Sequence, residues 1–384
     1  LKVNDSPGVN NAPANQGRNT SATRKRILFL VPSLIPGGAQ RVFSTLLRHL
    51  DRDRFEIHLA MLQAKGAYLD EVPGDVVIHD LRVGRMRYAL PSIVRVVRKV
   101  GPATIFSTLA YLNLTLLMAR PLLPAQTRIV IRESTTPSVF LKEETRHPRL
   151  WEWSYRHFYR KADFVVCLSD AMVEELAVRY AVPRSRLVRI YNPVDTETLK
   201  QFAQQGPNPF SGPGPNLVMA GRLSREKGTD ILLEAMLQVL RTFSQARLIV
   251  LGDGPLEGDL KAQAKRLGIE PAVSFAGFQQ NPWPYLKHAD FLILPSRYEG
   301  LPNAALEALA LGTPVIASDC PSAIREIKAW DDRVTLVPAE DAAALAKAII
   351  SAAQAHASDS PTDCGERLHQ FDLDHVLLQY SRLF

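Results

Sequence analysis

Short, wholly apolar runs that each end at a turn leave this chain few folds to choose from. Leu248-Ile249-Val250-Leu251 and Phe291-Leu292-Ile293-Leu294 offer no polar side to water. Strands that are apolar on both faces must be covered on both faces, and parallel sheets flanked by helices do this. Leu217-Val218-Met219-Ala220 reads as a third such strand, followed by a glycine turn and a helical pattern over residues 229–240. The first half repeats the alternation, with strands expected at residues 27–31, 57–62, 104–107, 128–131 and 164–168. The fold class that follows is α/β, with doubly wound parallel sheets. A chain of 384 residues exceeds one ordinary core and suits two, and 46% hydrophobic residues are enough to fill both.

Residues 1–24 contain Asn, Ser, Pro and Gly with few large apolar side chains, which predicts a disordered tail. No apolar core follows the early charge, so no secretory signal is expected. Residues 25–195 should form a first domain and residues 196–365 a second. A connecting segment is expected at about 196–215, where residues 205–215 hold four prolines and three glycines. A polar loop is expected near 358–365, and residues 366–384 include an amphipathic terminal helix with Asp372 at its N-cap. The most apolar stretch, 109–123, is interrupted by Asn113, Thr115, Arg120 and Pro121, which favours a buried helix over a membrane span. Cys167, Cys320 and Cys364 have no metal-ligand spacing. The first two lie in or beside expected strands, as small buried residues do, and a reducing cytoplasm is the simplest setting.

Two segments carry chemistry. In Glu299-Gly300-Leu301-Pro302-Asn303-Ala304-Ala305-Leu306-Glu307, two carboxylates lie eight positions apart across a helix start. Gly300, Leu301 and Pro302 should turn the chain, and a helix from about Asn303 should direct unpaired N–H groups at an anion. Glu299 can then accept hydrogen bonds from sugar hydroxyls, and Glu307, one turn into the helix, can hold the paired hydroxyls of a ribose. In the glycine turn after residues 217–220, Arg222 offers a planar fork of donors and Lys227 a compact charge, which suits a departing diphosphate. The plain alternatives are acids placed for the helix dipole and a solvated basic loop.

Taken together, Gly221-Arg222-Leu223, Lys227-Gly228, Gly252-Asp253-Gly254-Pro255, Glu299 and Glu307 resemble, in order and spacing, the C-terminal half of the family-4 retaining glycosyltransferases of the Glu-x7-Glu group. Pro36-Gly37-Gly38-Ala39 resembles the family's glycine turn at the cleft, and Tyr191-Asn192-Pro193-Val194-Asp195 its interdomain segment, so the likeness spans about residues 25–384. The resemblance implies the GT-B fold: two Rossmann-like domains facing across a cleft, with a terminal helix that crosses back to the first. It implies catalytic roles for Arg222, Lys227 and Glu299. It also implies a donor site that includes Gly37, Gly38, Gly221, Gly252, Gly254, Gly300, Leu301, Pro302, Asn303 and Glu307, with Asn192 beside the cleft. Many relatives place a histidine after the strand at 128–131, where this chain reads Arg132-Glu133-Ser134. Arg132 and Glu133 are cleft candidates in its place, or else an ion pair at a strand end.

The same resemblance implies transfer of a hexose or N-acetylhexosamine, with retention, from a nucleotide sugar to a lipid-linked or polysaccharide acceptor of the cell envelope. Residues 298–303 are worded more like relatives that use UDP-linked sugars than like those that use GDP-mannose. A nucleotide-sugar epimerase, a phosphorylase and a non-catalytic sugar-nucleotide sensor remain open on the same fold. No cofactor, metal or nucleic-acid partner is expected. Asp51-Arg52-Asp53 precedes a strand, away from the carboxyl ends where ligands bind, and reads as a turn. Pro255 and Gly258 break the dinucleotide spacing that begins at Gly252.

Charge is unevenly divided. Residues 25–195 carry 26 basic against 16 acidic side chains, net +10, whereas residues 196–384 carry 17 against 22, net −5. One basic cluster comprises Arg82, Arg85, Arg87, Arg95, Arg98 and Lys99. The other, Arg146, Arg149, Arg156, Arg160 and Lys161, is interleaved with Trp151, Trp153, Tyr155, Phe158 and Tyr159. Rings beside cations suit an anionic membrane surface, so peripheral docking on the inner face of the cytoplasmic membrane is one reading. An ordinary amphipathic helix is the other.

Overall fold

The structure, a computed structural model, describes residues 24–356 and 369–384. The polar loop expected near 358–365, Cys364 and almost all of the expected tail lie outside them. In the first sheet, β1 (Lys25–Val31), β2 (Phe55–Met61), β3 (Val77–Asp80), β4 (Thr104–Thr108), β5 (Arg128–Arg132), β6 (Phe164–Cys167) and β7 (Leu187–Arg189) run in the order β3-β2-β1-β4-β5-β6-β7. In the second, β8 (Asn216–Ala220), β9 (Arg247–Leu251), β10 (Val273–Gly277), β11 (Phe291–Leu294), β12 (Val315–Asp319) and β13 (Val334–Pro338) run in the order β10-β9-β8-β11-β12-β13. Every pairing is parallel. The two strands of the first sheet outside the five expected are its edges. β3 is short and leaves Val77 and Ile78 exposed, and β7 has three residues, so neither carries the apolar run of a central strand.

Among the helices of the described residues are α1 (Gly38–His49), α2 (Ala89–Val100), α3 (Ala110–Ala119), α4 (Pro148–Phe158), α5 (Thr196–Ala203), α6 (Thr229–Thr242), α7 (Trp283–His288), α8 (Asn303–Ala310) and α9 (Leu373–Leu383). The apolar stretch at 109–123 forms α3, buried on nearly all sides. No helix among the described residues is long and apolar enough to cross a membrane.

One local expectation needs correction and two gain detail. The connecting segment at 196–215 opens with α5, because Asp195 caps it (Thr198 N to Oδ1, 3.0 Å) and Leu199 and Ala203 are buried on one face. Asp372 occupies the N-cap of α9, but its side chain makes no capping bond. The chain there is held by its backbone instead, with Val194 N donating to Phe371 O at 2.7 Å. The aromatic residues of the second basic cluster divide between core and surface. Tyr155 and Tyr159, four apart, point into the core, while Trp153 remains exposed among the basic side chains.

α9 lies against the first sheet. Phe106 meets Tyr380 at 5.3 Å and Phe384 at 5.4 Å between ring centres, and Phe29 meets Phe384 at 6.1 Å. A continuous apolar cluster contains Leu168 and Ile131 from the first sheet's domain together with Leu301, Ala305 and Leu306 from the second.

Candidate active site

In each sheet the strand order reverses once, between β1 and β4 and between β8 and β11. At such a reversal the loops leave in opposite directions and open a crevice at the carboxyl ends of the strands. Gly37 and Gly38 follow β1, the loop from Gly221 to Lys227 follows β8, and Glu299 to Asn303 follow β11. The structure brings these segments together. Asn303 Nδ2 donates to Gly38 O at 3.2 Å, and Asn192 Nδ2 donates to Asn303 Oδ1 at 2.6 Å and to Leu301 O at 3.3 Å. Arg132 in turn donates to Asn192 Oδ1 at 2.6 Å. A run of polar contacts thus passes from the end of β5 to the first residue of α8. No side chain among the described residues caps α8, whose N-cap is Pro302, so the first N–H groups of the helix have no side-chain partner there.

Lys227 and Glu299 form an ion pair, Nζ to Oε1 at 2.6 Å, and Ser296 Oγ donates to the same oxygen at 2.9 Å. The Lys227 stem lies along Gly221. Arg222 is exposed, and no ion pair of it occurs among the described residues. Gly300 presses on the loop after β5. A Cβ built on it would stand 2.0 Å from Ser134 O, a backbone atom with no rotamer to retreat into. Arg225 adds a contact across the cleft, 2.8 Å from Glu143.

Glu307 lies one turn into α8 and is buried. Its Oε1 is 3.3 Å from Arg41 Nε of α1, and its Oε2 accepts from Trp283 Nε1 of α7 at 3.1 Å. Burial raises its pKa, against which the Arg41 charge and the indole bond act.

Residues 36–198 match the family described as Glycosyltransferase Family 4, and residues 214–355 match that described as Glycosyl transferases group 1. The chain belongs to the family-4 glycosyltransferases. Among curated relatives of this glycosyltransferase is the N-acetylgalactosamine-N,N'-diacetylbacillosaminyl-diphospho-undecaprenol 4-alpha-N-acetylgalactosaminyltransferase of Campylobacter jejuni, 29% identical over 83% of this chain and 87% of the relative. Another is the lipopolysaccharide 1,6-galactosyltransferase of Salmonella typhimurium, 28% identical over 48% of this chain and 53% of the relative. Of the solved structures, Anabaena Alr3699/HepE in complex with UDP and glucose aligns with a TM-score of 0.73 at 21% identity, over 94% of this chain and 99% of that one. Sucrose-phosphate synthase from Thermosynechococcus elongatus aligns with a TM-score of 0.75 at 19% identity, over 94% and 98%. These likenesses establish the GT-B fold.

Two departures bear on the site of this glycosyltransferase. Arg132 and Glu133 do not pair with each other. Adjacent residues at a strand end point to opposite faces, so Arg132 reaches Asn192 whereas Glu133 turns into the core beneath α3 and α4. There Glu133 accepts from Asn113 Nδ2 at 3.0 Å, from Tyr155 OH at 3.3 Å and from Tyr159 OH, and burial lifts its pKa to about 7. Glu133 is therefore not a cleft residue. Gly252 and Gly254 also have a local reason to be glycine. A Cβ at either would meet backbone of the β8 loop, Gly221 O at 2.1 Å or Leu223 O at 2.2 Å, so the two strand-end loops approach only without side chains there.

Arg41, Trp283 and Ser296 were not anticipated. Arg41 lies three residues beyond Gly38, the spacing of one helical turn, and this was the one signal available for it. Nothing near Trp283 in the sequence points to Glu307.

Proposed function

We propose that this glycosyltransferase moves a hexose or N-acetylhexosamine from a UDP-sugar, with retention, to a lipid-linked or polysaccharide acceptor in cell-envelope glycan synthesis. The observation that carries this reading is the Lys227–Glu299 pair beside the uncapped start of α8, with Glu307 one turn further on. The second domain holds the donor and the basic first domain the acceptor, at the inner face of the cytoplasmic membrane. Glu307 takes the ribose hydroxyls and Glu299 hydroxyls of the sugar to be transferred. Lys227, Arg222 and the N–H groups at the start of α8 neutralise the diphosphate as the bond from the anomeric carbon to its phosphate oxygen breaks. The acceptor hydroxyl then bonds to that carbon on the face the diphosphate is leaving, and its proton passes to the departing phosphate oxygen. No protein carboxylate is required as a nucleophile on this route.

The Campylobacter relative is named for an undecaprenol-linked acceptor and Alr3699/HepE was solved with UDP and glucose, which supports the assignment of acceptor class and nucleotide. A panel of UDP-glucose, UDP-galactose, UDP-GlcNAc, UDP-GalNAc and GDP-mannose tests it by thermal shift and donor hydrolysis. Stabilisation by one UDP-sugar with slow turnover is expected, and no response to any of them would overturn the reading. Epimerisation of the donor without an acceptor would place the chain with the epimerases instead.

A further inference from the structure

We propose that Arg41, a residue of the first domain, is a positioning residue for the donor: it fixes the Glu307 carboxylate for the ribose hydroxyls and so makes donor binding depend on closure of the two domains. This rests on the reading above, in which Glu307 binds ribose. Three side chains from three helices make the arrangement. Arg41 of α1 holds one carboxylate oxygen, Trp283 of α7 holds the other, and the Arg41 guanidinium lies 5.1 Å from the centre of the Trp283 ring. Each carboxylate oxygen accepts about two hydrogen bonds, so both can be held from behind while still receiving a diol. The three line a cavity between the domains together with Asn303, whose amide reaches Gly38 at the start of α1. α1 therefore meets α8 twice, one turn apart, and moving it away would release both contacts.

A carboxylate this enclosed is costly to keep charged without a cation. Burial raises the Glu307 pKa and Arg41 is the largest influence opposing it. The other ionisable groups on the cavity walls are Arg48 of α1, Tyr68 and Glu71 before β3, and Asp195 ahead of α5. Glu71 accepts from Ser44 and its charge also acts on Arg41, the Tyr68 hydroxyl interacts with both Arg41 and Glu307, and Asp195 pairs with His49. Ribose recognition needs the ionised form, so donor affinity should fall as pH drops through the raised pKa. Without Arg41 that fall should begin at a higher pH.

The test is calorimetric titration with UDP from about pH 5 to pH 8, alongside donor kinetics, on wild type, Arg41→Met, Arg41→Lys and Glu307→Gln. Arg41→Met should bind UDP about 10-fold more weakly at the upper end, equivalent to ~1.4 kcal/mol. Its acid limb should move upward and its donor KM rise, while kcat at saturating donor stays near wild type. Arg41→Lys, which retains the charge, should keep the limb close to the wild-type position. Glu307→Gln should bind weakly and keep only the limb that the terminal phosphate of UDP, with its second pKa of about 6, contributes to every variant. A wild-type limb and KM in Arg41→Met would overturn the proposal, as would a limb displaced as far in Arg41→Lys. Wild-type UDP affinity in Glu307→Gln would instead remove the ribose assignment on which it rests.

Discussion

Lys227 and Glu299 occupy each other at 2.6 Å in a partly buried setting, so neither residue acts alone. Replacing Lys227 by Ala leaves Glu299 with the Ser296 hydroxyl and takes one cation from the leaving diphosphate. A fall in transfer rate of about 10²–10³-fold is expected, with the fold intact by circular dichroism. Full activity would remove the role assigned to Lys227. Glu133 gives a prediction of a different kind, since burial holds its pKa at about 7 against an ordinary 4.5. Below the lower value both folded and unfolded chains are protonated there and burial costs nothing. As pH rises through the interval the unfolded state loses the proton first, so stability falls until about pH 7 and then levels off. Relative to Glu133→Gln, the wild type should lose on the order of 3 kcal/mol over that range, measured by urea unfolding at a series of pH values. The sequence placed Arg132 and Glu133 together at a strand end. It was silent on their opposite destinations, because the helices that receive Glu133 come from elsewhere in the chain.

At the scale of elements, the loops at the carboxyl ends of β8 and β11 were legible from the sequence. Apolar runs mark the strands, glycines mark the turns, and both signals act over a few neighbouring residues. What holds those loops in place was not legible, since their partners are other backbones. Gly300 illustrates this, because its missing Cβ is what lets the β11 loop lie against Ser134 of the β5 loop. Gly300→Ala should force the two loops apart and destabilise the protein by about 1–3 kcal/mol. UDP affinity should fall with it, because α8 starts three residues beyond the contact. Chemical unfolding and a UDP titration check both, and no change in either would mean that the loops do not meet in solution. The segment at 196–215 shows the reverse case. Its prolines and glycines concealed the helix at its start, where an Asp cap and a buried Leu199 outweigh composition.

At the scale of the molecule, the terminal helix ties the far end of the chain to the first sheet through Phe384, Tyr380 and the rings of Phe29, Phe55 and Phe106. Phe384→Ala should cost about 3–5 kcal/mol, read as a lowered unfolding midpoint with little change in slope. The net +10 of residues 25–195 gives a further expectation. With Arg146, Arg149, Arg160 and Trp153 exposed together, sedimentation with vesicles should increase with anionic lipid and decline with added salt. Binding indifferent to lipid charge would leave that surface merely solvated. By itself the sequence determined two parallel sheets and the loops that carry Lys227, Glu299 and Glu307, because strand burial and turn chemistry are properties of adjacent residues. Only the tertiary structure decided that Arg41 faces Glu307, that Ser134 faces Gly300, and that Asn192 meets Asn303 across 111 positions. Such pairings depend on how two separately formed sheets dock, and no local pattern encodes that.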